Sequence, residues 1–120
     1  MSESILQRRL VDVAERLKRL RAELAVADEQ VLFLDEEAED ARLRALVAET
    51  PLGEVEARDA RRHADTLRRH RDALSGSIEE LRRDQDALLD RMTAEAATRT
   101  DRAGTDDVND TNKDQEATTR

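Results

Sequence analysis

Cysteine is absent from the 120 residues, so disulfides, thiolate metal sites and thiol catalysis are all excluded. Tryptophan and tyrosine are absent too, and Phe33 is the only aromatic residue. A compact globular core draws much of its buried area from aromatic rings, so this chain does not read as a globule. It has one proline, Pro51, and three glycines. Long stretches therefore run without any helix breaker. No apolar run approaches the length of about 18 residues that a membrane span needs. The polar start lacks the apolar segment of a signal peptide, and a soluble, cytoplasmic protein is expected.

Charge is what the chain does have. Charged residues make up 42% of it and the net charge is −8. An excess of negative charge argues against direct binding of nucleic acid, whose phosphates need a basic surface.

The charges are interleaved with a regular apolar ladder. Leu6, Leu10, Val13, Leu17, Leu20, Leu24, Ala27, Val31, Leu34, Ala38, Ala41, Ala45 and Ala48 succeed one another at alternating spacings of four and three. A 3.5-residue repeat held this long specifies one helix with a seam that another helix must cover. At 1.5 Å per residue that helix is roughly 65 Å long. Ser4 and Gln7 fit a capping box at its start. Thr50-Pro51-Leu52-Gly53 then breaks the run. Thr50 suits an N-cap and proline suits the first helical position, where its missing N–H is not needed.

A second ladder comes after it: Ala57, Ala60, Ala64, Leu67, Arg71, Leu74, Ile78, Leu81, Gln85, Leu88 and Met92. The expected fold is all-α, an antiparallel two-helix coiled-coil hairpin over 4–96. Its helices span 4–49 and 51–96 and its reversal falls in 50–53, with a disordered acidic tail over 97–120. Matching the ladders predicts Ala45 against Ala60, Ala38 against Leu67, Val31 against Leu74 and Leu17 against Leu88. Arg71 would then reach past Leu34 toward Asp35 or Glu36. Ser75-Gly76-Ser77 is the weak point of the second helix, yet Leu74, Ile78 and Leu81 hold the heptad phase across it, with Gly76 facing outward.

Chemistry-bearing motifs are few. His63 and His70 stand seven apart, two turns rather than the one turn that helical metal pairs use. There is no glycine-rich phosphate loop and no Ser-His-acid arrangement, and two rods offer no concave pocket. No enzyme activity, cofactor or metal is expected.

Two features remain. The first is apolar surface away from the seam: Leu32, Phe33, Leu43, Leu46 and Val47 on the first helix, with Leu52 and Val55 over the turn. Clustered exposed apolar side chains mark contact surfaces. The expected function is a non-enzymatic adaptor, assembly or regulatory protein that binds another protein through the distal half of the hairpin. A hairpin with so small a core is marginal alone. A homodimer is therefore expected as well, and pairing two hairpins into a four-helix bundle is one form it can take.

The second is an acidic tip: Glu49, Glu54, Glu56 and Asp59. Early carboxylates complement a helix dipole, which is the plain account of them. The stretch Gly53-Glu54-Val55-Glu56-Ala57 also resembles the tip of the Gre family of transcript-cleavage factors. In that family an N-terminal coiled-coil hairpin carries acidic residues at its tip and enters the RNA polymerase secondary channel. The resemblance is confined to the turn, and Ala57 stands where the family has a further acid. It implies, as an alternative function, a polymerase-channel regulator whose tip carboxylates position a divalent cation.

Overall fold

In the computed structural model the backbone is described for residues 3–118 and side chains for 4–101. Two helices account for the architecture: α1 (Glu3–Ala48) and α2 (Pro51–Thr118). α1 packs against the N-terminal two thirds of α2 as an antiparallel hairpin. Neither is long and apolar enough over the described residues to cross a membrane.

The seam matches the sequence pattern closely. In α1, Leu6, Leu17, Ala27, Val31, Ala38 and Ala41 are buried, and the other rungs are half-buried except Ala48, which the helix end exposes. Every rung of the second ladder from Ala57 to Met92 is buried or half-buried, Arg71 and Gln85 included. α2 runs unbroken through Ser75-Gly76-Ser77, and a Cβ built on Gly76 meets nothing within 4 Å. Gly76 faces outward, as its heptad position requires.

The reversal falls where the sequence places it. α1 ends at Ala48, and Glu49 takes a left-handed conformation with φ of 50°. Its N–H donates to the Ala45 carbonyl at 3.0 Å. That single bond is the αL helix stop, a role usually filled by glycine because a Cβ is strained there. Thr50 caps the next helix: its Oγ1 accepts from the Gly53 N–H at 3.1 Å. Only two residues therefore separate the helices.

The register, however, differs from the expected one. Leu17 packs with Ile78 and Leu81, not with Leu88. Ala45 lies beside Gly53, not Ala60: a Cβ added at Gly53 would come 3.4 Å from the Ala45 Cα. Ala38 shares a groove with Ala57. The pairing is thus displaced by one heptad toward the turn. Gly53 becomes the first rung of the second ladder, and its missing side chain lets the two backbones close at the tip.

The ion pairs show the same displacement. Arg71 reaches Asp28, with Nε 4.0 Å from the carboxylate, rather than Asp35 or Glu36 one heptad further on. It also donates to Asp72 at 2.9 Å. Asp35 accepts from Arg61 at 3.1 Å and from Arg68, so one carboxylate on α1 ties two arginines of α2.

At the termini the helices exceed their ladders. α1 begins at Glu3, which puts Ser4 inside the helix rather than at its cap. α2 does not end at 96 but continues to Thr118. The Thr98 and Thr100 hydroxyls donate back to the Ala94 and Ala96 carbonyls at 3.0 Å. The tail expected over 97–120 falls, from 102 onward, outside the described side chains.

Two measurements check this account. Replacing Glu49 with Gly relieves the left-handed strain without touching the seam. Glu49→Gly should stabilise the hairpin by about 0.5–1 kcal/mol in chemical denaturation monitored by circular dichroism; destabilisation would contradict the turn geometry. The second concerns acid. Partial desolvation pushes the Asp35 carboxyl up, but the hydrogen bonds and charges of Arg68 and Arg61 outweigh it and hold its pKa below the ordinary 3.8. A carboxyl depressed in the folded state stabilises it above its unfolded pKa, and that contribution disappears as pH falls through the folded value. Stability should therefore drop on acidification below about pH 4. Asp35→Asn should be less stable at neutral pH and should lose less between there and acid. A parallel pH profile for the two proteins would remove the ion pair from the account.

Candidate functional site

A heptad coil fixes which side chains look away from the partner helix, because positions between the seam rungs fall on the flanks and the outer pole. Leu43 lies on the outer pole of α1. Leu46 and Val47 lie on the two shoulders beside it. On α2, Val55 takes the outer pole and Leu52 a shoulder. All five are exposed, from Val55 at 43% to Val47 at 87%. Since only Glu49 and Thr50 separate the helices, these five encircle the tip of the hairpin.

Leu32 and Phe33 are exposed as well, at 64% and 59%. They sit on opposite shoulders of α1, ten or more residues back from Leu43, which is about 15 Å along the axis. Glu36, Glu39 and Asp40 occupy the outer surface in between. The seven apolar residues thus form a tip cluster and a separate pair divided by an acidic belt, not one continuous stripe. Within the belt, Glu39 accepts from Arg42 at 2.7 Å. That bond depresses the Glu39 pKa and raises that of Arg42, against a smaller opposing effect of desolvation.

Other exposed apolar residues lie toward the open end, outside the surface expected from the sequence: Ile5, Val11, Val26 and Leu89. Each stands apart from the others, and an isolated exposed aliphatic residue carries no inference. Their off-seam positions are visible in the same heptad count.

The acidic tip residues do not converge. Glu49 is the left-handed turn residue, Glu54 lies on one flank of α2, and Glu56 and Asp59, three residues apart, share the other, all exposed. Asp59 lies 3.7 Å from Arg62. Among the described residues no three carboxylates or imidazoles are placed to hold a metal ion. His63 and His70 are exposed at the seam edge, with His70 beside Val26 and Gln30 in a shallow groove.

The expectation that two rods leave no concavity is incorrect. A groove of about 610 Å³ opens between the helices near their open end. Val13 and Leu88 line it together with Arg9, Arg16, Asp84 and Arg91. Large side chains at the open end hold the helices apart, whereas alanine and glycine let them close at the tip. The groove carries arginines and aspartates together, with no histidine, serine or cysteine among its lining residues to serve as nucleophile or base.

No protein-family model, no curated protein and no solved structure matches this chain.

Proposed function

We propose that this chain is a non-enzymatic coiled-coil interaction protein, an adaptor, assembly or regulatory factor, that acts in the cytoplasm by binding another protein through the distal half of its hairpin. One observation carries the reading. The seam is closed by the two helices themselves, yet Leu32, Phe33, Leu43, Leu46, Val47, Leu52 and Val55 remain exposed in the half nearest the turn.

These residues lie outside the seam that holds the hairpin together. Fully burying an exposed aliphatic or aromatic side chain gains roughly 1.5–3 kcal/mol, and each of these would gain the part of it that its remaining exposure allows. Phe33 is the one aromatic available as an anchor, and aromatic side chains commonly carry much of an interface's binding energy. Two apolar groups separated by an acidic belt suit a partner with apolar knobs on either side of basic residues. The acidic tip has less behind it as a cation-positioning device, because Glu54 lies on the flank opposite Glu56 and Asp59.

The test is co-purification of tagged wild type and variants, with bound proteins compared between them. Phe33→Asp with Leu46→Asp should abolish capture of a defined partner while leaving the helical circular dichroism signal unchanged. Glu54→Ala with Glu56→Ala should retain that partner. The reverse pattern, a partner lost only with the tip acids, would replace this reading with the polymerase-channel one.

A further inference from the structure

One heptad position per repeat points directly away from the seam. On α1 this column reads Arg8, Glu15, Ala22, Glu29, Glu36 and Leu43; on α2, from the tip, it reads Val55, Arg62, Arg69, Gly76, Arg83 and Asp90. All twelve are exposed. Within one hairpin the two columns lie on opposite poles and never meet. Between two hairpins laid side by side with tips level, they do.

In that arrangement α1 of one copy runs antiparallel to α2 of the next, as the two helices do within the hairpin. Leu43 meets Val55 at the tip. Glu36 then meets Arg62, and Glu29 meets Arg69. Ala22 falls opposite Gly76, Glu15 opposite Arg83, and Arg8 opposite Asp90. Every charged rung joins opposite signs, and the uncharged rungs are apolar or small. A slide of one heptad one way puts Arg8 on Arg83. A slide the other way puts Glu15 on Asp90 and Leu43 on Arg62. The level register alone satisfies all six rungs.

Two further observations point the same way. Gly76 weakens a helix interior, and nothing in the hairpin requires it, since a Cβ there meets nothing within 4 Å. Opposite Ala22 of another copy it becomes a point of close backbone approach, the role in which glycine is commonly retained. Moreover, Arg8, Glu15, Glu29, Glu36, Arg83 and Asp90 have no ion-pair partner among the described residues. Arg62 and Arg69 are held only by a 3.7 Å contact to Asp59 and a 3.2 Å bond to Thr66.

We propose that these two outer faces are the two halves of a self-assembly contact, with the occupant of each a second copy of this chain. Because the halves differ, the contact is heterologous: each copy presents an acidic pole to one neighbour and a basic pole to the other. Copies join in a row or close into a ring. The proposal does not depend on a heterologous protein partner, although the contact covers Leu43 and Val55 of the tip cluster.

Sedimentation velocity of the full chain tests it. Wild type should associate at low ionic strength, and raising salt from about 0.02 to 0.5 M should weaken association by about tenfold or more, since exposed charges are screened. Glu29→Arg with Glu36→Arg should be monomeric, as should Arg62→Glu with Arg69→Glu. Mixing these two variants should restore association, because each then offers the other a complementary pole on both sides. Gly76→Leu should raise the thermal midpoint of the hairpin while abolishing association, a split that a purely structural glycine would not give. Wild type that stays monomeric at low salt, association indifferent to charge reversal, or folded variants that fail to associate when mixed would each overturn the proposal.

Discussion

The structure depends on the length of the link between its helices. A heptad seam is periodic, so sliding one helix by seven residues returns leucine and alanine rungs to leucine and alanine rungs. Among such pairings hydrophobic burial discriminates weakly. The two-residue turn discriminates strongly. With Glu49 left-handed and Thr50 capping, the chain has no slack, and Ala45 must lie against the first turn of α2. The register then propagates along the rod to Leu17 and Leu81.

The turn works because the residues beside it are small. Gly53 and Ala45 permit near-contact of backbones, and Ala38, Ala41, Ala57, Ala60 and Ala64 continue a narrow seam behind them. Further out, Leu17, Ile78 and Leu81 form an apolar cluster with Val13, Leu20 and Leu24 packed against it. The gradient of side-chain size therefore has two effects. It closes the tip tightly enough for a two-residue link, and it opens the groove near Val13 and Leu88. Exposed ion pairs are weak, so Asp35 with Arg61 and Arg68 reinforces a register that the turn has already selected.

Much of this is legible in the residues themselves. Helix type, helix number, the buried face of each helix, the cap at Thr50 and continuity through Gly76 all come from local spacing. The partner of each rung does not, because spacing within one helix says nothing about offset between two. Gly53 holds the missing information. It continues the second ladder one step past Ala57, at a spacing of four, but beside Pro51 a glycine reads first as a turn residue. Counted as a rung, it places Ala45 opposite and brings Arg71 to Asp28. The groove is hidden from the sequence for the same reason, since it depends on how far apart facing side chains hold the helices. The C-terminal extent of α2 is hidden because an apolar ladder marks where a helix is covered, not where it stops.

A displacement by a whole heptad changes every partner and no face. Leu32, Phe33, Leu43, Leu46, Val47, Leu52 and Val55 point outward in either register, because their direction is set by phase along their own helix. The same holds for the charged columns on the outer poles. A reading of function that rested on which residues touch across the seam would have failed with Leu17 and Leu88. One that rests on what the seam leaves outside does not depend on the register. The proposed contact surface is made of side chains outside the seam. Substitutions there should change association and leave the fold intact, the opposite of what changes at Leu17, Ala38 or Gly53 would do.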